Sequence, residues 1–191
     1  MNDPALDARE HAEHAEHAAH ENNPFISQVS ITIALLAVVA AVTGSLETVE
    51  SGGAIIAANE AVLAQDQATD QWSFFQAKSV KKNLYAIAAD AAGPKADDYR
   101  AKAKQEGADQ EKAQDEAKTL EAESRRDQAL SQRHENRHHR LTVGATFLEI
   151  GIAISTIAII TRKRWPWVIS GVLGLAGAVV AASAYADLIG M

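Results

Sequence analysis

The chain contains no cysteine. It therefore has no disulfide, no thiolate metal ligand and no thiol nucleophile, and cysteine usage leaves its redox compartment open. The sequence also lacks a P-loop, a glycine-rich dinucleotide turn, a nucleophile elbow and an HExxH motif. We therefore expect a protein that is not an enzyme and that carries no organic cofactor.

The sequence has no basic stripe either. Its net charge of -7 is spread over helical sequence of mixed sign and an acidic N-terminal tail. Nucleic-acid-binding proteins concentrate Lys and Arg on one face. Nucleic acid is therefore excluded as the expected partner.

Three long apolar runs are present. Residues 26–46, 141–161 and 166–186 contain only one acidic or basic side chain, Glu149. As a helix, residues 26–46 rise roughly 31 Å, which matches a hydrocarbon core of ~30 Å. The first run lacks the basic region and cleavage site of a signal peptide, so we expect it to be retained. The predicted transmembrane helices are residues 25–48, 141–161 and 168–189, and the lipid bilayer is the expected partner.

The segment between the first two spans, residues 49–140, is rich in Ala, Gln, Glu, Lys and Asp and has one clear break, Gly93-Pro94. Residues 49–92 and 97–140 are each 44 residues long. Two antiparallel helical arms of this length start and end at the same membrane face. The predicted fold is an all-α membrane protein with three transmembrane helices and a long antiparallel, coiled-coil-like hairpin, which turns near residues 91–96.

Apolar residues recur along both arms at steps of three and four, as in a coiled coil. The same register, continued beyond Leu120, places Ser124, His134 and His138 in the seam. Because large apolar residues are few, we expect the stem to pack in a homo-oligomer; a monomer with a loose stem is the alternative. Trp72 and Phe75 are expected to anchor packing rather than to form a ligand box. The predicted stem-packing residues are Trp72, Phe75, Leu84, Tyr99 and Leu120.

The run Asp70–Ser79, DQWSFFQAKS, lies within the segment Ala58–Tyr85. Together with a membrane hairpin interrupted by TRKRWPW, it resembles the bacterial membrane-protein family known as domain of unknown function 4337. The resemblance covers nearly the whole chain after residue 25. It implies a bacterial origin and this architecture, and it carries no activity over to the chain.

Glu149 lies eight residues inside the second apolar run. An acid at this depth is costly to ionise and is a functional-site hypothesis by default. One interpretation is a protonated carboxyl that hydrogen-bonds to Thr146, Ser155, Thr43 or Ser45 and fixes packing. The other is an intramembrane site that handles a proton or a cation.

Small residues recur every four positions along the third apolar run. In membranes such a row favours close helix contact, although transmembrane helices are rich in glycine in any case. Gly144, Gly151 and Ser155 offer a similar face on the second run. The predicted helix-contact face is Ser170, Gly174, Ala178, Ala182 and Ala186.

Basic residues flank the second span on both sides, and Trp165 and Trp167 follow its end. Residues 162–167 are predicted to be a short basic and aromatic loop. The positive-inside rule then favours a cytoplasmic N-terminus and a periplasmic hairpin in the bacterial inner membrane, although other arginines crowd the opposite side. The residues predicted to contact lipid headgroups are Arg137, Arg140, Arg162, Lys163 and Arg164.

The N-terminal residues 1–24 form a polar tail with histidines at every third position. Neutral imidazole suits Zn, Cu or Ni, so weak binding of Zn or Ni is one interpretation. Four positions at this step precess around a helix, however, and a solvated, pH-sensitive tail is the other interpretation. The candidate metal ligands are His11, His14, His17 and His20.

These features favour a non-enzymatic inner-membrane protein that oligomerises through its helical stem and serves as a scaffold or interaction element, with an unidentified protein partner as a further possibility. The alternative is an oligomeric ion or proton conduit in which copies of Glu149 converge on an axis.

Overall fold

The computed structural model describes residues 24–91 and 93–186. These residues form three α-helices, α1 (Pro24–Ala91), α2 (Ala96–Thr161) and α3 (Arg164–Ser183), with a short 3-10 helix (Gly93–Lys95) between α1 and α2. The described chain is therefore all-helical, with two long helices packed together and a shorter third. Each of the three helices is long and apolar enough to cross a membrane.

The contacts divide the chain into two compact units. The three-helix unit contains the described residues 24–54 and 133–186, and the hairpin unit is Ile55–Gln132. The two long helices contribute to both units, whereas α3 belongs to the three-helix unit alone.

The reversal between α1 and α2 depends on Gly93. Its φ is +53°, a left-handed conformation that glycine adopts without steric cost at the end of a helix. Asp97 and Asp98 then occupy the first turn of α2, where carboxylates interact favourably with the helix dipole. The chain turns here within the segment 91–96, where the sequence predicts the turn.

The seam of the hairpin unit is built from alanine. In α1 it contains Ala57, Ala61, Ala64 and Ala68, and in α2 it contains Ala113 and Ala117, all at most 5% exposed. Such small side chains let two helices approach closely but supply little apolar area. Polar groups add to the seam, because the buried Ser124 hydroxyl donates to the carbonyl of Ala61 at 2.8 Å.

Aromatic and charged contacts supplement the alanine seam. The Trp72 indole N–H donates to Glu121 at 2.8 Å, and the Trp72 ring packs edge-on against Phe75 with centroids 5.4 Å apart. Tyr85 stacks on Tyr99 at 6.2 Å. Trp72, Phe75, Tyr99 and Leu120, four of the predicted stem-packing residues, are half-buried.

Lys78 lies between two carboxylates of α2. Its Nζ is 2.7 Å from Asp109 Oδ2 and 3.0 Å from Glu106 Oε2. The hydrogen bond to Asp109, followed by that to Glu106, raises the pKa of Lys78 above its ordinary value.

The prediction of Leu84 in the seam is wrong. Leu84 is 60% exposed, and its neighbour Ile87 is 68% exposed. Beyond Ala68 the seam includes the half-buried Trp72, Phe75 and Tyr85 and the buried Ala89, so it passes one residue to the side of Leu84. Large aliphatic residues consequently lie on the outer side of α1.

In the three-helix unit, α2 and α3 meet through small residues. A Cβ placed on Gly177 would lie 2.7 Å from the carbonyl oxygen of Gly144, and a Cβ on Gly151 would lie 3.1 Å from that of Ser170. The Ser155 and Ser170 hydroxyls hydrogen-bond each other in this buried contact. Glycine is therefore required where the two backbones approach most closely.

The contact face of α3 differs from the predicted row. Ser170 and Gly174 are buried and Ala178 is half-buried, whereas Ala182 and Ala186 are exposed. A strict four-residue step advances 40° too far at every turn of a 3.6-residue helix. The buried face therefore shifts to steps of three and four, and comprises Pro166, Ser170, Gly174, Gly177, Ala181 and Ala184.

The predicted loop 162–167 is shorter in the structure. Arg162 has φ +52° and Lys163 is extended, and α3 begins at Arg164. Proline is tolerated in the first turn of a helix, because no intrahelical acceptor is available there for a backbone N–H. Trp165, Pro166 and Trp167 therefore lie in this first turn rather than in a loop.

The close approach of α2 and α3 predicts opposite effects of one substitution at two glycines of α3. Gly177→Ala should lower the free energy of unfolding by about 1–3 kcal/mol, because the added methyl meets the Gly144 backbone. Gly171→Ala is the matched control, since no atom lies within 4 Å of its Cβ position. It should be neutral or stabilising by up to about 1 kcal/mol through helix propensity. Denaturant unfolding in detergent, followed by circular dichroism, measures both; equal effects would contradict this packing.

Candidate functional site

A buried carboxylate, Glu50, is the centre of a polar cluster in the three-helix unit. Glu50 is 5% exposed. Its Oε2 lies 2.6 Å from Nδ1 of His134, and its Oε1 accepts a hydrogen bond from the Tyr185 hydroxyl at 3.0 Å. Arg137 NH1 lies 3.8 Å from Oε1. One carboxylate thus connects α1, α2 and the residues that follow α3.

A second carboxylate, Glu47, lies one helical turn before Glu50. Its Oε1 accepts a hydrogen bond from the Thr142 hydroxyl at 2.7 Å and lies 3.9 Å from Nδ1 of His138. The same ring nitrogen is 3.3 Å from the backbone carbonyl of Glu47. Glu47 and Glu50 on α1 therefore face histidines spaced four residues apart on α2. The two Glu–His pairs lie about one helical turn apart.

Gly53 leaves room for the His134 ring beside Glu50. A Cβ at this position would lie 2.9 Å from Nδ1 of His134, the atom that contacts Glu50. The neighbouring Gly52 has no atom within 4 Å of its Cβ position. Glycine in the middle of a helix weakens it by about 1 kcal/mol. At Gly53 this cost is explained by the closeness of the imidazole.

The cluster carries opposite charges at short range in a largely buried site. The carboxylate of Glu50 faces the guanidinium of Arg137, which also lies over the Tyr185 ring, 5.8 Å from its centroid. A buried charge needs an opposite charge and hydrogen bonds to offset its desolvation, and Glu50 has both. Chemically, one carboxylate binds both the His134 ring nitrogen and the Tyr185 hydroxyl.

Two of the predicted headgroup residues contact groups of the protein at this site, and their contact with lipid stays a prediction. Arg137 faces Glu50 and Tyr185, with a side chain 24% exposed, and Arg140 donates to the backbone carbonyl of Ser183 at 2.9 Å. Both guanidiniums therefore bind groups of the protein. The other three residues of that prediction, Arg162, Lys163 and Arg164, are exposed.

Glu50 is the functional candidate that sequence reasoning missed. The two equal arms of the sequence, residues 49–92 and 97–140, are symmetric about a point between residues 94 and 95, which places Glu50 opposite His139. In the structure Glu50 contacts His134 and Glu47 contacts His138, so the pairing is centred near residue 92. The equal arms therefore indicate the region of α2 that faces Glu50 but not the residue.

The surroundings of Glu149 differ from those of Glu50 in both exposure and hydrogen bonding. It is exposed on α2 and makes no hydrogen bond or ion pair with residues 24–91 or 93–186. The predicted packing partners bind elsewhere: Thr43 donates to Val39, Thr146 donates to Thr142, and Ser155 contacts Ser170. The hypothesis that Glu149 fixes packing inside one chain is therefore wrong.

Metal binding has no support from the described residues. Across residues 24–91 and 93–186, no group of three or more His, Asp or Glu side chains converges on one point. The predicted ligands His11, His14, His17 and His20 lie outside the described residues. Zn or Ni binding by the tail therefore stays a prediction.

Comparison with known proteins adds a family. The model of a family described as a domain of unknown function (DUF4337) matches residues 25–187. The match confirms the resemblance drawn from the run Asp70–Ser79. No curated protein and no solved structure matches the chain.

The Glu50 cluster predicts a large loss of stability when its carboxylate is removed. Glu50→Ala should lower the free energy of unfolding by about 3 kcal/mol, because His134, Arg137 and Tyr185 lose their shared acceptor. Glu135→Ala, at an exposed position beside His134, should change it by less than about 0.5 kcal/mol. Denaturant titration of both variants in the same detergent measures the difference. Indistinguishable unfolding midpoints would show that the cluster does not hold the helices together.

Proposed function

The chain belongs to the family of domain of unknown function 4337, a description that names no activity, and we propose that it is a non-enzymatic, membrane-anchored scaffold that associates with copies of itself. The three apolar helices supply the anchor. The hairpin unit supplies the associating surface.

One observation carries this proposal: α1 presents a row of large aliphatic side chains on the outside of the hairpin unit. We call this row the outer stripe; it comprises Ile56, Leu63, Val80, Leu84 and Ile87, which are 58–68% exposed. Ile56 and Leu63 are seven residues apart, and so are Val80 and Ile87, which is the spacing of a coiled-coil seam. Between these two apolar segments the same heptad positions hold Asp70 and Ala77.

The seam of the hairpin unit cannot cover the outer stripe, because α2 already packs against the alanine side of α1. Burying a large aliphatic side chain stabilises an assembly by roughly 1.5–3 kcal/mol. An exposed row of large aliphatic side chains is typical of a surface that binds another protein. The outer stripe is therefore an apolar surface that the hairpin does not cover itself.

A second copy of the chain is the partner that suits this surface. Copies anchored in one membrane with the same orientation have their α1 helices parallel. In a parallel pair related by a two-fold axis, each heptad position meets the same position of the other copy. The outer stripe is thereby complementary to itself.

The proposed location is the bacterial inner membrane, with the N-terminus in the cytoplasm and the hairpin in the periplasm. Arg162, Lys163 and Arg164 are exposed in the very short connection between α2 and α3, where positive charge favours the cytoplasmic side. Trp165, 62% exposed, follows directly, as aromatic residues do at a membrane interface.

The outer stripe predicts a disulfide between copies. Because the chain has no cysteine, Leu84→Cys introduces a single thiol, and mild oxidation of membranes should yield a covalent dimer. Ala86→Cys is the control, since Ala86 is exposed on another side of the same helix. Both variants should label with a membrane-impermeant maleimide added to intact cells if the hairpin is periplasmic.

Two results would contradict the scaffold proposal. One is an equal, low yield of dimer from Leu84→Cys and Ala86→Cys. The other is a monomeric mass for the wild-type chain in mild detergent and in nanodiscs. Absence of labelling in intact cells, with labelling restored after lysis, would reverse the orientation and leave the association intact.

A conduit that uses Glu149 stays a second prediction. The exposed carboxyl within an apolar helix favours it, because such groups often line ion or proton paths. Proteoliposomes with wild-type protein should then pass protons or monovalent cations, and Glu149→Gln should abolish that flux. Equal flux from both proteins, or none from either, would remove the conduit.

A further inference from the structure

The exposed side of α2 near Glu149 mixes polar and small residues with aliphatic ones, such as Ile150 and Ile157, 45% and 49% exposed. Glu149 and Thr156 are seven residues apart, and Thr146 and Ala153 form a second pair with the same spacing. We call these four residues the inner stripe. Thr146, Glu149 and Ala153 are exposed, and Thr156 is half-buried.

Over their apolar segments, residues 26–46 and 166–186, the other two helices carry no acidic or basic side chain. The exposed side of α1 carries Leu35 and Val38, and that of α3 carries Val172, Leu175 and Val179, each more than 60% exposed. Aliphatic surface of this kind suits contact with lipid tails. A carboxyl does not, because an ionised acid at the bilayer centre is costly.

From this contrast we infer that the inner stripe is the interface at which α2 packs against α2 of a second copy, with Glu149 as its hydrogen-bonding centre. The inference rests on the proposed self-association, which brings a second copy into the same membrane with the same orientation. In a parallel pair related by a two-fold axis, Glu149 meets Glu149 of the second copy.

The chemistry of the inner stripe is complementary to itself. A protonated carboxyl both donates and accepts, so two copies can hydrogen-bond each other when at least one of them is neutral. The threonine hydroxyls donate to carbonyls of their own helix, Thr146 to Thr142 at 2.9 Å and Thr156 to Ile152 at 3.2 Å. Their oxygens still have lone pairs for a donor on the facing helix. Ala153 is small enough for the backbones to approach.

A single-cysteine experiment in native membranes tests the interface. Ala153→Cys should give a disulfide-linked dimer on oxidation, and Val172→Cys, on the exposed aliphatic side of α3, should not. Within the Ala153→Cys background, Glu149→Gln should retain the dimer, because an amide also donates and accepts. Glu149→Leu should reduce the dimer yield about fivefold, since it removes the hydrogen bond.

The outcomes separate this inference from the proposed scaffold. If Leu84→Cys cross-links and Ala153→Cys yields no more dimer than Val172→Cys, the chain self-associates through its hairpin and the inner stripe is not an interface. If Glu149→Leu leaves the Ala153→Cys dimer unchanged, the carboxyl does not hold the helices together, and the inference is overturned. If none of the three cysteine positions cross-links, the scaffold proposal fails as well.

Discussion

The register between α1 and α2 is the constraint on which the other contacts depend. In the hairpin unit the chain reverses at the left-handed Gly93, and α1 then packs against α2. The Ser124 hydroxyl reaches the carbonyl of Ala61, and Tyr85 stacks on Tyr99. Because alanine seams are smooth and repetitive, they specify register weakly. The buried polar contacts discriminate against slippage, since a shifted helix would leave Glu50 without His134.

Alanine in the seam has a further consequence for the energetics of the hairpin unit. Two helices of small residues can approach closely, yet each buried alanine removes little apolar surface from water. The larger aliphatic side chains of α1 remain outside, as the 68% exposure of Ile87 illustrates. A hairpin built in this way leaves large apolar side chains on its outer side, which is the surface that the proposed self-association would cover.

Much of this fold follows from the sequence, because long apolar and polar segments follow one another along the chain with few breaks. The apolar runs, the break at Gly93-Pro94 and the equal arms predict three helices and a reversal. The sequence pattern wrongly predicts Leu84 in the seam, because it favours large apolar residues for positions that alanines fill. It also wrongly predicts Ala182 on the contact face of α3, because a four-residue period drifts around a helix while the buried face follows 3.6 residues per turn.

Arg137 illustrates what local sequence cannot supply. A basic residue beside an apolar run is typical of headgroup contact, and nothing within its own helix argues otherwise. Its partner Glu50 lies 87 positions earlier in the chain. Only the register joins the two, and a register is visible in sequence only when the turn and the arm lengths are considered together.

Glu50 and Glu149 show how the same carboxyl group acquires different roles from its surroundings. Glu50 is buried, and a histidine, a tyrosine and an arginine of its own chain satisfy it. Glu149 has no such partner among the described residues. In apolar surroundings, a carboxyl without a hydrogen-bonding partner is costly. Glu50 is therefore explained by the fold of one chain. The described residues of one chain supply no such partner for Glu149, and the proposed pairing of α2 with α2 of a second copy would supply it.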